Sequence, residues 1–370
     1  MIYEVKISGT MLGIIEGLGV AVVSVLTAVS GYFGDVTGRR VLLIRLGFGF
    51  GFLGRLFLNF STSWTWFLVY RIIDRIGKGV RISARDTIIA NSVNLSHSGR
   101  MFGVHRSMVA FGAMIGIALS WSIFCFVGAD KNVYYLIFLI SSVFSLIAFL
   151  CTFYLHEQPV DLHQTEDLKP KNLHSVTEVC PSNDFLNNIR LNKKFIKVVS
   201  VFFVFYIANS SDAFIFLRCT EARLSRMDVI LGYGLYRLCY FITAYLVGYL
   251  GDRHGYTRCI RAGWILYAAV YCAFSFQIGQ LTCWYLLAVY GVFLALTEVS
   301  TVPIVISTVN KNCRGSALGV FYAVLGIGAI IGNTVAGLLW DTVGVSGPFL
   351  FGAIMTSVAF IMSFWLIESS

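Results

Sequence analysis

Charge is scarce in this chain. Only 13% of its 370 residues are Asp, Glu, Lys or Arg, about half the share of a soluble domain. That scarcity excludes a soluble enzyme. With 57% hydrophobic residues it excludes a disordered chain as well, because low hydrophobicity defines that class. Proline is rare, five residues beside 35 glycines with no G-X-Y period, which excludes collagen. The nine cysteines stand singly, with no C-x-x-C, and read as small apolar fillers. The six histidines show no metal spacing, so neither a metal nor a cofactor is expected. There is no G-x-x-x-x-G-K-[ST] loop to let ATP drive the protein directly. The absence of H-E-x-x-H and G-x-S-x-G speaks against a membrane enzyme. The net charge is +9, but the cations sit in short gaps between apolar runs, and no RRM, zinc-finger or basic-arm pattern accompanies them. Nucleic acid is therefore not an expected partner.

What is present is a series of long apolar runs, with a mean hydropathy of +0.77. They predict eleven membrane spans, at about 9–33, 41–60, 64–92, 101–126, 133–155, 195–218, 228–250, 258–279, 282–308, 316–340 and 347–366, each near the roughly 20 residues that cross a bilayer. The first run is too long for a signal-peptide core and ends in charges. One polar stretch, 156–194, carries Pro159, Pro170 and Pro181 and no apolar period. It reads as an exposed linker between an N-terminal bundle (1–155) and a C-terminal six-helix bundle (195–370). Lys and Arg concentrate in alternate gaps: Arg39 and Arg40, Arg100, the linker, Arg253 and Arg258, then Lys311 and Arg314. By the positive-inside rule the linker and C-terminus lie in the cytoplasm of a multi-pass protein of the cell (inner or plasma) membrane, and the N-terminus lies outside. Arg218, Arg223 and Arg226 fall on the opposite side.

The two sides of the linker repeat each other. Gly31-Tyr-Phe-Gly34-Asp35-Val-Thr-Gly38 recurs as Gly248-Tyr-Leu-Gly251-Asp252-Arg-His-Gly255, 217 residues later. Gly99, Gly103, Val104, Gly112, Ala113, Ile115 and Gly116 recur as Gly315, Gly319, Val320, Gly328, Ala329, Ile331 and Gly332, each 216 residues later. Two similar halves in parallel are the plan of some transporters. Span 195–218 has its repeat counterpart before Met1, so the first half is expected to be one helix short of the second.

These residues carry a resemblance. The segment from Gly31 to Arg39-Arg40 resembles the loop G-x-L-x-D-R-x-G-R-R of the major facilitator superfamily, and Gly248 to Arg258 resembles the same loop in the second half. Arg71-Ile-Ile-Asp74-Arg75-Ile-Gly77-Lys78-Gly79-Val-Arg81, followed by Arg85-Asp86, is similar to a fourth-helix signature of a bacterial and archaeal subgroup with mostly unassigned substrates. Asn209 to Phe214, Thr297-Glu298 and Gly315 to Asp341 resemble that subgroup in the seventh, tenth and eleventh helices. The resemblance implies an all-α fold of two pseudo-symmetric bundles with twelve helices, of which the first is missing here. It also implies that the two Gly-Asp loops, Gly31, Gly34, Asp35, Gly38, Arg39 and Arg40 with Gly248, Gly251, Asp252, Gly255 and Arg258, latch the outward-facing state. Ile117 stands where the antiporter-type motif has Pro, so export by antiport is not supported.

Ionisable residues inside spans are costly and by default functional. On a helix of 3.6 residues per turn, Arg71, Asp74, Arg75, Lys78, Arg81, Arg85 and Asp86 fall within an arc of roughly 140° and run about 22 Å along the axis. Such a stripe faces a wet cavity or partner charges. Five cations against two anions would draw an anionic solute, since Arg forks suit carboxylate or phosphate. The competing reading is a structural network in which Arg71 and Arg85 pair with Asp35, Asp74 and Asp86. The lone acids Glu298, Asp212 and Glu16 are candidates for proton coupling, Glu298 first because it sits mid-span. Arg237 is a possible partner of Asp212 or Glu298, and Arg55 a packing or gating charge.

The function expected is secondary transport of a small, anionic solute by alternating access, with proton coupling, in a monomer bathed by lipid. The alternative is a non-transporting membrane receptor or scaffold on the same fold.

Overall fold

The computed structural model describes residues 8–59, 64–127, 131–157, 192–222 and 224–366. All regular structure among them is helical. Before the polar stretch run α1 (Gly9–Thr37), α2 (Arg40–Asn59), α3 (Trp64–Asn91), α4 (Ser98–Val127) and α5 (Lys131–Cys151). After it run α6 (Lys193–Ala208), α7 (Asp212–Glu221), α8 (Arg226–His254), α9 (Tyr256–Ser275), α10 (Gln280–Ile306), α11 (Arg314–Thr342) and α12 (Ser346–Leu366). Most of the expected linker, 158–191, lies outside the described residues. Below, α1–α5 are called the first half and α6–α12 the second. The end where α5 stops and α6 starts is the linker side, and the opposite end is the far side.

Nine helical segments of the described residues are long and apolar enough to cross a membrane. The eleven expected spans differ from these at α3 and α9. Helix α3 carries seven Arg, Lys and Asp residues, and α9 carries Arg258, Arg261 and three tyrosines in 20 residues. The expected span 195–218 is not one helix but two. It breaks at Asn209–Ser211, where Ser211 caps α7. Exposed backbone at membrane depth persists only when its polar groups find partners, and here they do. The Asn333 side chain accepts from Ser211 N at 2.7 Å, and Tyr267 Oη donates to the Ala208 carbonyl at 3.0 Å.

The helix ends follow local chemistry. Ser8 caps α1, and Ser225 with Asp228 forms a capping box on α8. The two Gly-Asp segments end alike, Gly38 at φ 70° and Gly255 at φ 91°. Glycine adopts such angles without steric penalty, so each chain reverses directly into the next helix.

Two seams join the halves, α1 along α11 and α4 along α8. Both are built from small residues, as close helix packing in lipid requires. The densest core lies in the second half, where Phe202, Phe205, Trp264, Tyr267, Tyr271 and Phe293 are buried against one another. The repeat is unequal on α4 and α11. Gly328 and Gly332 pack against Phe203, Tyr206 and Ile207 of α6, whereas a side chain built on their counterparts Gly112 and Gly116 would meet no atom of the described residues within 4 Å.

Candidate functional site

The repeated Gly-Asp segments meet the second repeated motif across the seams. On α1, Asp35 accepts the Ser316 N–H at 2.6 Å at the first turn of α11 and also binds Arg40 at 2.9 Å. On α8, Asp252 accepts the N–H groups of Gly99 at 2.8 Å and Arg100 at 3.1 Å at the first turn of α4. A carboxylate at a helix N-terminus satisfies orphan donors and complements the dipole. Each half thus caps a helix of the other. Close glycine contacts make this possible: a Cβ on Gly31 would strike the Gly315 carbonyl, and one on Gly99 would lie 2.6 Å from that of Gly248. Tyr256, at the position matching Arg39, also holds Asp252. Gly34 and Gly251 are buried beside their aspartates, while Arg39 and Arg258 are exposed.

The α3 stripe is not one surface. Arg75 turns to α1, where it lies 3.9 Å from Glu16. Lys78 pairs with Asp74 on its own helix at 2.7 Å. Arg81 stacks on Phe48 of α2 at 4.5 Å. Arg85 donates twice to Asp86, at 2.8 and 2.9 Å, and Tyr322 of α11 donates to the other Asp86 oxygen at 3.0 Å. Arg71 is exposed near the far-side end of α3. Arg55 donates to the Gly51 carbonyl and to Ser145 of α5, both at 3.1 Å.

At the centre a second charged contact spans the halves. Arg106 of α4 lies 3.7 Å from Glu298 of α10, and Tyr240 of α8 donates to the same oxygen at 2.7 Å. With Asp86 and Tyr322, this places charged and phenolic groups from α3, α4, α8, α10 and α11 around the interface between the halves. Arg106 was missed in the sequence. The criterion that picks Glu298, a charge inside an apolar span, applies to it equally, because it stands about 12 Å into α4. Arg237 acts on both acids through space but makes no direct pair with either: Arg106 lies against Glu298, and Asp212 accepts from Tyr236 at 3.2 Å and Tyr290 at 2.7 Å.

The far side of the α1–α11 seam is fastened too. Asp341 accepts the N–H groups of Gly9 and Thr10, both at 2.8 Å, and the Thr10 hydroxyl at 2.6 Å. Among the described residues, the last hydrogen bond from α4 to α8 toward the far side is Ser107 to the Phe241 carbonyl at 3.1 Å.

Two halves related by a parallel repeat, spanning helices and a polar interface between the halves are the plan of a multi-pass membrane protein of the kind some secondary transporters use. The chain belongs to the Major Facilitator Superfamily, whose model matches residues 1–218 and 220–370. It is 26% identical over 354 residues to the MFS-type transporter MJ1317 of Methanocaldococcus jannaschii, covering 94% of this chain and 84% of that one. To MJ1560 of the same organism it is 23% identical over 338 residues, covering 91% and 84%. Among solved structures it is similar to the human organic anion transporter MFSD10, with a TM-score of 0.73 at 16% identity over 95% of this chain and 83% of that one. It is also similar to the Escherichia coli fucose:proton symporter FucP, with a TM-score of 0.68 at 15% identity over 96% and 100%.

Proposed function

We propose that the protein carries a small anionic solute across the cell membrane by alternating access, coupled to proton movement at Glu298. The observation that supports this most is the Arg106–Glu298 pair, whose members come from opposite halves. Separating the halves would strand a cation and an anion in a low-dielectric interface, which is costly. A proton on Glu298 and an anion on Arg106 replace both lost partners at once. The likenesses to solved structures, at 15–16% identity, carry the fold alone, so the anionic solute rests on the arginines. The alternative source of positive charge is the α3 stripe, whose Arg75 and Lys78 would have to leave Glu16 and Asp74 to take an anion.

The positive-inside pattern supports a cytoplasmic linker and C-terminus in the plasma membrane. The unequal packing of the repeat supports a further helix in the first half. Its place would be beside Gly112 and Gly116, as α6 lies beside Gly328 and Gly332.

The test is proton flux in proteoliposomes loaded with a pH dye and presented with lactate, benzoate, succinate or phosphate. Solute-driven acidification in the wild type and pH-independent uptake in Glu298→Gln would bear the reading out. Binding of an anion without any flux would favour the receptor alternative.

A further inference from the structure

Arg237 stands in the middle of α8, and no acid makes a direct ion pair with it, although Glu298 and Asp212 lie near enough to act on its charge. Among the described residues no carboxylate lies within 4.0 Å of its guanidinium. Its Nη2 donates to the Tyr233 hydroxyl at 3.1 Å, and its plane lies over the rings of Tyr236 and Tyr233 at 4.8 and 5.2 Å. Its Nε is buried with no hydrogen-bond partner. The acids on the neighbouring helices are engaged elsewhere, Asp212 by the Tyr236 and Tyr290 hydroxyls and Glu298 by Tyr240 and Arg106. Arginine does not shed its proton in a protein, so a charge stays in a spanning helix with no direct ion-pair partner and with its Nε–H unsatisfied, and that is costly.

Its position is informative as well. On α8, Gly234 faces Ile117 of α4 at 3.6 Å, and the ring of Phe241 packs on Phe111 of α4 at 5.4 Å. At about 100° per residue, Arg237 lies within roughly 60° of both. It therefore sits between the α4-facing side of α8 and the side that carries Tyr233, Tyr236 and Tyr240. It is also one turn farther from the linker side than Tyr240, and so than the Glu298 contact. The linker side is closed by the Asp35 and Asp252 caps, so Arg237 borders the interface between the halves on the side away from them.

We infer that Arg237 and Tyr233 form an anion subsite in the second half that takes the carboxylate of a small organic acid. The unused N–H groups of the guanidinium would grip the two carboxylate oxygens, and the tyrosine rings would flank the acid's apolar body. A planar two-oxygen anion fits a planar donor fork better than a spherical ion does. This inference rests on the anionic-solute reading and names a second place, in the second half, where the anion would be held besides Arg106 of the first.

The experiment is thermal unfolding of the purified protein in acetate, lactate, benzoate or succinate, against sodium chloride at equal ionic strength. It compares wild type, Arg237→Gln, Arg237→Lys and, as a cation remote from the proposed site and exposed at the linker side, Arg39→Gln. At least one carboxylate should raise the Tm of wild type and of Arg39→Gln. Its half-maximal concentration should rise about tenfold or more in Arg237→Gln, the loss of roughly one charge-assisted contact. Arg237→Lys, which keeps the charge and loses the fork, should fall between. A carboxylate effect that is unchanged in Arg237→Gln would overturn the subsite and leave the anionic reading standing. No effect of any carboxylate on wild type would overturn both. Equal effects of chloride and carboxylate would overturn the carboxylate specificity.

Discussion

Arg106 on α4 and Glu298 on α10 bring opposite charges from the two halves to 3.7 Å, and the Tyr240 hydroxyl completes the contact at 2.7 Å. This contact lies between the two halves, which would move apart in the proposed alternating access. Its strength therefore bears on how readily they do so.

The two side chains are 20% and 40% exposed, so their coupling is weaker than that of a fully buried pair. A double-mutant cycle of Arg106→Gln and Glu298→Gln should return about 1 kcal/mol of coupling. Chemical unfolding of the detergent-solubilised protein measures it. Strict additivity of the two substitutions would show that the charges do not interact.

The linker-side caps should hold that side shut. Replacing Asp35 or Asp252 by Ala removes carboxylate caps, each worth about 1 kcal/mol. A change of about 1.4 kcal/mol is tenfold in an equilibrium. A cysteine placed at Ser83, whose hydroxyl donates to the Gly315 carbonyl at 2.9 Å, should then react several-fold faster with a maleimide in a background without the native cysteines. Unaltered labelling in both variants would remove the caps from the closing device.

Repeat-related glycines should respond oppositely to the same change. In Gly332→Ala the new methyl would collide with the Ile207 carbonyl, whereas in Gly116→Ala it meets open space. The first variant should lower the Tm. The second should leave it level or raise it, since Ala is better than Gly in a helix by about 1 kcal/mol. Equal losses in both would mean that the face of α4 at Gly116 is packed in the membrane.

Asp341→Asn should loosen the far-side end of the α1–α11 seam. It keeps the shape and removes the charge opposite the first turn of α1, an effect of about 0.3–1 kcal/mol. Faster backbone hydrogen exchange confined to the first turns of α1 is the expected signature. Exchange that rises evenly over the whole chain would indicate general unfolding instead.

Legibility in the sequence varied with the reach of the side chain. Asp35 and Asp252 could be read because a short carboxylate acts close to its own backbone, and their recurrence marked a shared task. The α3 stripe was legible as a face but not as a destination. An arc of roughly 140° borders several helices, and side chains from it go separate ways: Arg75 to α1, Arg81 to α2 and Asp86 to Tyr322 of α11. The break at Asn209–Ser211 was hidden because three polar residues in an apolar run do not show whether Asn333 and Tyr267 wait nearby to satisfy the backbone. Arg106 went unread for a different reason. It stands two turns inside α4, within the expected span 101–126, where the test of a charge inside an apolar run was not applied to it.

The seams themselves imply a direction of movement. Helices α1 and α11 are fastened near both of their ends, by Asp35 and by Asp341, whereas among the described residues the hydrogen bonds between α4 and α8 run from the linker side as far as Ser107. A plate pinned along one edge and free at the far corner of the other would swing and not slide. In the proposed transport the α1–α11 seam would be the axle, and the corner between Ile117 and Gly234 would be where a gap first opens.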